Sequence, residues 1–324
     1  MTNNPYRKIH DNILKWYSKH GRITLPWRNT QNPYEIYLSE IMLQQTQVKT
    51  VLERFYFPFL KKFPSLEAVA SAPLDDILKA WEGLGYYTRA RNLHKTAQLT
   101  QGVLPSSAAE LIKLPGIGAS TAHAVACFAF NEPLPILDAN VKRILYRFFA
   151  IEKHNEKILW ERASELFDKR NAYIYNQTLM DIGSLICKQK NPDCQNCPFN
   201  SKCQGKEEPL RYPEKKVKKT KPVKKHFMLI YMHNNKYALA QNSTKLLNGL
   251  WGFPQVSSVE QSSTTTELGQ FRQHYTHFRL DATLVLINAP KQSHTQYFSI
   301  EEIHNLALSG ADRKALQILE NYLK

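Results

Sequence analysis

The stretch LPGIGAST, residues 114 to 121, places two glycines and a proline in a turn that opens directly into the apolar run AHAVACFAF. Ser107 and Glu110 form a capping-box pattern that predicts the start of the preceding helix, which we expect to end near Lys113. Ser120 stands at the beginning of the following helix. LPGIG is therefore predicted to be the turn of a helix-hairpin-helix unit.

The charge of the chain indicates what such a turn binds. The 324 residues carry a net charge of +15, from 43 Lys and Arg against 28 Asp and Glu. This excess indicates a polyanionic partner, and nucleic acid is favoured over anionic lipid. No apolar run approaches the roughly 18 residues of a membrane span. The start, MTNNPYRKIHDNILKWYSKH, lacks the apolar core of a signal peptide, so we expect no membrane attachment, a cytoplasmic location and, by default, a monomer.

The two glycines, Gly116 and Gly118, suggest where the ligand meets the turn. Glycine permits positive φ and carries no side chain, so backbone N–H groups at a helix N-terminus can approach a phosphate oxygen directly. A lone Gly-x-Gly also occurs in ordinary helix-helix turns. The apolar flanks and the basic chain favour binding to the DNA backbone.

The chain is long enough for two domains. Residues 1 to 205 contain apolar stripes of helical period, such as YEIYLSEIMLQQTQV (34 to 48), and predict an all-α domain. Residues 206 to 225, KEEPLRYPEKKVKKTKPVKK, predict an extended basic linker. From 226 to 324 the apolar period becomes 2, and FMLIYM, YALA and LDATLVLI predict strands of a smaller α+β domain. A last helix is predicted from about Gly310.

Four cysteines lie in CKQKNPDCQNCPFNSKC, residues 187 to 203, with the spacing C-x6-C-x2-C-x5-C. Structural zinc sites usually pair cysteines two to four residues apart on both sides, and here only one pair meets that spacing. A disulfide is disfavoured in a reducing cytoplasm. Four thiolates around one centre fit an iron–sulfur cluster better, with zinc as the alternative; they are Cys187, Cys194, Cys197 and Cys203. Cys127 is predicted to be a buried core residue.

Together these features resemble the helix-hairpin-helix DNA glycosylases, and within them the MutY family of adenine DNA glycosylases. The matching segments are LPWR (25 to 28), PYEIYLSEIMLQQTQV (33 to 48), GLGYYTRARNL (83 to 93), LPGIGAST, ILDANVKR (136 to 143), QTLMDIGSLIC (177 to 187) and the cysteine run. The resemblance implies a base-excision repair enzyme that flips adenine, mispaired with 8-oxoguanine or G, out of double-stranded DNA and hydrolyses its N-glycosidic bond. It also implies one 4Fe-4S cluster in the loop 187–203.

The resemblance assigns the chemistry to Glu40 and Asp138. Adenine leaves readily only once a ring nitrogen is protonated, and the sugar passes through an oxocarbenium-like state, so an acid and a nearby anion are required. Glu40 is expected to protonate adenine N7 and then help to activate water, while Asp138 stabilises, or transiently bonds to, the sugar carbon. Read alone, Glu40 is a solvated helix residue and Asp138 a natural N-cap. Asn140 and Ser120 are expected near the sugar and phosphate.

The remaining assignments from the resemblance concern DNA contacts. Gln45 and Tyr86 are expected to fill the space around the orphaned 8-oxoguanine. The expected adenine pocket is lined by Leu25, Trp27, Arg28 and Gln177. For isolated aromatic residues such as Trp27 and Tyr86, core packing is the alternative. Arg89 and Arg91 are interpreted either as phosphate contacts or as solvated charges.

Ser120 also separates this chain from a related chemistry. In the endonuclease III relatives the corresponding residue is a lysine whose amine forms a Schiff base that leads to strand cleavage. A hydroxyl cannot form that imine, so we expect base removal alone, with Lys142 giving at most weak lyase chemistry. The alternatives are an endonuclease III-like pyrimidine glycosylase and lyase, or a non-catalytic iron–sulfur DNA-binding protein. The joint presence of Glu40 and Asp138 argues against the second.

Residues 226 to 324 resemble the Nudix-like C-terminal domain of the same family, through LWGFP (250 to 254) and HYTHFRL (274 to 280). Thr276 and His277 stand where family members usually show Ser-His, and are expected to help recognise 8-oxoguanine. The alternative is that Tyr-Thr-His is simply one strand of the sheet.

The acidic helix of catalytic Nudix domains is missing from this second domain. Between the LWGFP segment and Phe271 only Glu260 and Glu267 are acidic. Without a carboxylate cluster to bind Mg²⁺, pyrophosphate hydrolysis is not expected.

Overall fold

The computed structural model describes residues 5–214, 220–244, 246–259, 265–288, 292 and 295–324. The chain forms two compact units. Unit 1 comprises Met1–Gln45 and Leu99–Val217, and unit 2 comprises Thr46–Gln98 and Lys218–Lys324. Unit 1 is helical, whereas unit 2 combines helices with a sheet.

The helices are, in chain order, α1 (Arg7–His20), α2 (Pro33–Leu43), α3 (Val48–Arg54), α4 (Tyr56–Lys62), α5 (Leu66–Ser71), α6 (Leu74–Ala80), α7 (Thr88–Leu99), α8 (Ala108–Leu111), α9 (Ala119–Phe130), α10 (Ala139–Phe148), α11 (Glu156–Leu166), α12 (Ala172–Leu185), α13 (Ile300–Asn305) and α14 (Gly310–Leu323). Short 3₁₀ turns lie at Pro26–Arg28 and Lys169–Asn171. The predicted series of helices up to the cysteine loop is confirmed, and so is the last helix from Gly310.

The apolar stripe predicted as one helix over 34–48 is interrupted. Helix α2 ends at Leu43, Gln45 takes a positive φ of 58°, and α3 begins at Val48. Helix α2 is buried on nearly every side, so its apolar residues do not define a single face. The chain turns in the polar run QQTQ, where Gln45 and Gln47 are exposed.

The helix before the glycine turn is shorter than predicted and its cap is only half formed. The Ser107 hydroxyl accepts a hydrogen bond from the Glu110 N–H at 3.3 Å. The Glu110 carboxylate does not return it to Ser107 but pairs with Lys113 at 2.7 Å. Helix α8 ends at Leu111, and Gly118 is the N-cap of α9.

The strands of unit 2 are β1 (Val223–His233), β2 (Lys236–Gln241), β3 (Trp251–Gly252), β4 (Gln255–Val256), β5 (Thr265–His274), β6 (Arg279–Asn288) and β7 (Gln296–Phe298). Their order is β3-β2-β1-β6-β5, with β4 on β1 and β7 on β2. Strands β1 and β6 run parallel, while β5 and β6 form an antiparallel pair. Asn234 and Asn235 have φ of 50° and 57°, as a tight β1–β2 hairpin requires.

One face of this sheet packs on α13 and α14 through an apolar core that includes Met228, Leu284, Ile303 and Leu316. The prediction of a helical domain followed by a smaller α+β domain is confirmed. Glu267 lies on strand β5, and no acidic helix is found among the described residues of this region, with Glu260 outside them.

The predicted linker contains ordered contacts at both ends. Arg211 pairs with Glu152 at 2.6 Å, and the Glu214 N–H donates to the Glu152 carbonyl at 2.9 Å. Strand β1 already begins at Val223, and residues 215–219 lie outside the described residues. Within the described ranges, every helix is too short or too polar to cross a bilayer.

Candidate active site

Glu40 lies in the last turn of α2, which packs against the hairpin helix α9. Its side chain is partly buried. Burial and the nearby Asp138 carboxylate raise the pKa of Glu40 to about 7, against a smaller lowering by Arg28. A carboxyl with this pKa holds its proton near neutral pH and can donate it, as a general acid must.

Asp138 caps helix α10. Its carboxylate accepts a hydrogen bond from the Val141 N–H at 2.7 Å and another from the Asn140 side chain at 3.1 Å. Burial raises the pKa of Asp138, and these hydrogen bonds, with the charge of Arg143, oppose the rise. The structure thus brings Glu40 close to Asp138 and Asn140, which follow it by about 100 positions in the sequence.

The position of Asn140 depends on a close approach between α10 and α12. A Cβ at Gly183 would lie 2.5 Å from the Asn140 Cβ, so only glycine fits there. Arg143 spans the same contact, donating to the Asn140 side-chain oxygen at 2.8 Å and to the Gly183 carbonyl. Gly183 was not identified from the sequence, where a single glycine in a helix carries no distinct signal.

Arg28 is held by a residue that the sequence did not identify. The Asp181 carboxylate receives Nη1 and Nη2 of Arg28 at 2.7 and 2.9 Å, and Nε of Arg22 at 2.7 Å. The Arg28 side chain is 4% exposed and that of Asp181 is 0% exposed. Arg28 therefore sits in the site as part of a buried ion pair, not as an isolated charge.

The other residues of the expected adenine pocket are buried. Leu25 and Trp27 are 7% and 6% exposed, and Gln177 is 3% exposed. Gln177 hydrogen-bonds to the Tyr173 hydroxyl, which donates to the Arg28 carbonyl at 3.2 Å. Tyr173 thus links Gln177 on α12 to the 3₁₀ turn that carries Arg28.

The glycine turn presents backbone at the N-terminus of α9. Gly116 has a φ of 74°, which favours glycine, whereas Gly118 has an ordinary φ of −86°. At Gly118 a Cβ would meet no atom within 4 Å, so the missing side chain leaves open space. No side chain caps this helix. Ser120 lies in the first turn of α9, partly exposed.

The two residues expected around the orphaned base share an unusual backbone conformation. Gln45 and Tyr86 are exposed and have positive φ values of 58° and 50°. Non-glycine residues adopt this region rarely, and such positions cluster at functional sites. Core packing, the alternative for Tyr86, is wrong, because its side chain is 44% exposed. For Trp27 the buried position is compatible with either interpretation.

Both interpretations of Arg89 from the sequence were wrong, because the side chain is buried. It is 8% exposed, and burial lowers its pKa to about 10. Its guanidinium donates to the Thr46 hydroxyl at 3.1 Å and to the carbonyls of Leu84 and Gly85 at 3.3 and 3.1 Å. It also stacks on Tyr86, with 5.4 Å between Cζ and the ring centroid. Arg89 therefore braces the turn that carries Tyr86.

Thr276 and His277 lie in the turn between β5 and β6, not in a strand. The Tyr275 N–H donates to the Phe278 carbonyl at 2.9 Å and the two rings stack, which closes the turn. Both Thr276 and His277 are exposed. The Thr276 hydroxyl lies 3.5 Å from the Tyr86 hydroxyl, although the two residues are 190 positions apart.

The four cysteines of the loop line one cavity, together with Arg147, Pro192 and Asp193. All four are partly exposed free thiols. Arg147 is 4% exposed and donates to the Cys187 sulfur at 3.2 Å, which places a buried positive charge beside it. Cys127, by contrast, is 1% exposed in the helical core, so its prediction as a core residue is confirmed.

Within the part of the chain that the structure describes, no three His, Cys, Asp or Glu side chains gather closely enough to hold one ion. Zinc–sulfur bonds of about 2.3 Å require such a compact group. Burial raises the pKa of Cys197 to about 12 and that of Cys203 to about 11.

Comparison with known proteins defines the class of molecule. Residues 38–169 match the HhH-GPD superfamily of base excision DNA repair proteins, and residues 226–317 match the NUDIX domain. A thermostable thymine-DNA glycosylase of known structure is similar, at 30% identity and a TM-score of 0.57 over 62% of this chain and 97% of that one. An endonuclease III–DNA complex shares the fold, at 22% identity and a TM-score of 0.56 over 65% and 99% of the two chains. The helical part is therefore a helix-hairpin-helix base excision repair protein.

Comparison with individual protein sequences identifies the family within this class. The chain is 40% identical over 297 residues to the adenine DNA glycosylase of Buchnera aphidicola subsp. Baizongia pistaciae, covering 84% of each. It is 34% identical over 342 residues to that of Buchnera aphidicola subsp. Acyrthosiphon pisum, covering 96% and 97%. The Homo sapiens enzyme is 36% identical over 213 residues, 60% of this chain and 39% of that one. The chain belongs to the adenine DNA glycosylase family. It is a DNA N-glycosylase whose substrate is DNA, so the resemblance inferred from the sequence is confirmed.

Proposed function

We propose that this adenine DNA glycosylase removes adenine mispaired with 8-oxoguanine or G, with Glu40 as the general acid and Asp138 as the anion beside the sugar. One observation carries the proposal. Two partly buried carboxyls interact, and burial and the Asp138 charge raise the pKa of Glu40 to about 7. When two acidic groups interact, one can hold the proton while the other stays ionised, so such a pair can divide the roles of proton donor and anion.

The proposed reaction begins once adenine has been flipped out of the duplex. Glu40 donates its proton to N7, the C1′–N9 bond breaks, and its electron pair leaves with the base. The sugar carbon becomes positively charged, and the Asp138 carboxylate stabilises it or bonds to it transiently. Water then adds at C1′, and the Glu40 carboxylate accepts the proton that this water releases.

The proposed reaction stops at base removal. Ser120 offers a hydroxyl where an attacking amine would be needed for Schiff-base chemistry. Lys142 is close to Asp138 in sequence, but its amine pairs with Glu156 at 3.0 Å. Strand cleavage by the enzyme alone is therefore expected to be weak or absent.

Selectivity for 8-oxoguanine is proposed to involve Thr276 and His277. The Thr276 hydroxyl, 3.5 Å from that of Tyr86, could bond N7 or O8 of the damaged base. Its methyl group distinguishes it from the serine usual in the family. A double change, Thr276→Ala with His277→Ala, should reduce the preference for A:8-oxoguanine over A:G. An unchanged preference would refute this assignment.

The cysteine cavity is proposed to hold one 4Fe-4S cluster, with Cys187, Cys194, Cys197 and Cys203 as ligands. A cluster is larger than an ion, so its ligands need not form the compact group that zinc requires. The buried Arg147 beside Cys187 would offset the negative charge of the thiolates. When bound, the cluster would organise the loop and supply no step of the hydrolysis. Iron and sulfide analysis of the purified protein tests this proposal, and a single zinc would contradict it.

The experiment that tests the catalytic assignment is Glu40→Gln. This change should abolish adenine release in single-turnover assays while leaving the affinity for mispaired DNA within a few fold. The matched control is Glu35→Gln on the same helix, whose carboxylate accepts a hydrogen bond from the side chain of the N-cap residue Asn32 at 3.3 Å. Retained turnover in Glu40→Gln would refute the assignment.

A further inference from the structure

Asp181 is the most heavily bonded buried carboxylate of the region around Glu40. Besides the three bonds from the side chains of Arg22 and Arg28, it accepts the Arg22 N–H at 2.8 Å. Burial alone would raise the pKa of Asp181, but the hydrogen bonds and charges of Arg28 and Arg22 together outweigh it and hold that pKa below its ordinary value. The carboxylate is therefore ionised at neutral pH, and the three side chains carry a net charge of +1 rather than +2.

The charge of Arg28 acts on the proposed acid. Arg28 interacts with Glu40 and favours its ionised form, in opposition to burial and to Asp138. This effect opposes the role of a general acid, because a general acid has to hold its proton until adenine accepts it. An unpaired Arg28 at this place would therefore weaken the acid that it accompanies.

We propose that Asp181 is a positioning residue that fixes Arg28 in the site and neutralises its charge, so that Glu40 keeps its proton. The proposal rests on the acid role proposed for Glu40. Within the described part of the chain, the charges that act on Glu40 come from Asp138, at the start of α10, and from Arg28, in the 3₁₀ turn. Arg28 is faced in turn by Asp181 and by the hydroxyls of Tyr17 and Tyr173.

Substitution of Asp181 with Asn tests the proposal because it keeps the shape and removes the charge. The single-turnover rate of the natural protein should fall as Glu40 ionises at alkaline pH. In Asp181→Asn the midpoint of this fall should move down by about one pH unit. The rate would then drop about tenfold at pH 8 and change little well below the midpoint, because Glu40 is protonated there in both proteins.

For Arg22→Gln we expect the pH midpoint to shift in the opposite direction. Its side chain is 25% exposed, and its loss leaves both Asp181–Arg28 bonds in place. The net charge of the group formed by Arg22, Arg28 and Asp181 falls from +1 to zero. The midpoint of the alkaline fall in rate should therefore move to higher pH. Asp181→Glu, which retains the charge, should restore the midpoint even where its overall rate is lower.

The matched control is Asp168→Asn. Asp168 is another buried carboxylate of unit 1, 5% exposed, and its side chain bonds to the Asn171 amide and the Arg170 N–H. Its loss should lower the thermal midpoint without moving the pH midpoint. This control thus separates the effect of lower stability from the effect of a changed pKa of Glu40.

The outcomes distinguish this proposal from the role of Glu40 itself. An equal loss of rate at every pH in Asp181→Asn, with an unmoved midpoint, overturns the role of Asp181 alone. Retained turnover in Glu40→Gln, or no alkaline fall in the natural protein, overturns the acid role and the Asp181 proposal together. If Asp181→Asn does not fold, Arg22→Gln decides, and an unmoved midpoint there contradicts the proposal.

Discussion

The Asp138 carboxylate accepts a hydrogen bond from the Val141 N–H at 2.7 Å. One side chain therefore caps α10 and at the same time raises the pKa of Glu40. The cap fixes the carboxylate at the start of a helix, so its position does not depend on a mobile loop. The structural and the proposed chemical role of Asp138 can be separated by substitution.

Asp138→Asn should slow adenine release by about 100-fold or more, because the amide cannot stabilise the sugar cation. Asparagine is as good an N-cap as aspartate, so the stability should change by less than about 1 kcal/mol. The measurements are single-turnover rates and thermal denaturation. Asn155→Ala is the control, since it removes the cap of α11 and should lower stability without slowing base release. An active Asp138→Asn enzyme would leave Asp138 only its role as a cap.

Glu40 should destabilise the folded protein at alkaline pH. Its folded pKa of about 7 lies above the ordinary value of 4.5, so the folded state binds this proton more tightly. The stability that results is complete below pH 4.5 and is lost as the pH rises through 7, a loss of about 3 kcal/mol. Glu40→Gln should therefore raise the thermal midpoint relative to the natural protein at pH 8 and not at pH 4. Equal shifts at both pH values would contradict the raised pKa.

Gly183→Ala should impair folding and chemistry together. Its Cβ would lie 2.5 Å from that of Asn140, and such overpacking costs about 1 to 3 kcal/mol. The displaced start of α10 should slow adenine release by about tenfold. Gly118→Ala is the comparison: no atom lies within 4 Å of its added Cβ, so the thermal midpoint should be nearly kept while DNA binding weakens. Normal activity in Gly183→Ala would show that α10 tolerates the shift.

Arg89→Gln should lower stability without removing a DNA contact. The substitution leaves the buried Leu84 carbonyl without its Arg89 donor, at a cost of about 1 to 3 kcal/mol, while the Gly85 carbonyl keeps the Trp81 indole N–H at 3.2 Å. Because Arg89 is buried, the salt dependence of DNA affinity should keep its slope. Arg91→Gln on the same helix should cost less, since Arg91 bonds the Asn248 carbonyl near the surface. A shallower salt slope in Arg89→Gln would indicate a phosphate contact after all.

The parts of the fold that follow from local spacing could be predicted from the sequence. The glycine turn, the final helix and the change of apolar period each depend on residues within a few positions of one another. The break at Gln45 could not, because it depends on α2 being surrounded by the rest of the core. The same holds for the half-formed cap at Ser107, where Lys113 competes for Glu110.

The candidate active site could likewise be predicted only where it depends on local sequence segments. Glu40 and Asp138 were predicted through their segments, but Asp181 reaches Arg28 across 153 positions and only the fold reveals the pair. The burial of Arg89 could not be predicted, because the sequence alone does not distinguish a buried arginine from an exposed one. What the sequence did not reveal are the partners that hold the named residues in place.

Single-turnover release of adenine from a duplex with one A:8-oxoguanine pair tests the central claim most directly. The products should be assayed for strand breaks with and without alkali, beside a thymine-glycol duplex. A monofunctional adenine glycosylase with Ser120 in place of an attacking lysine predicts breaks on the adenine strand only after alkali. Inactivity on that duplex, with direct cleavage at thymine glycol, would contradict the account and assign the protein to the endonuclease III type of chemistry.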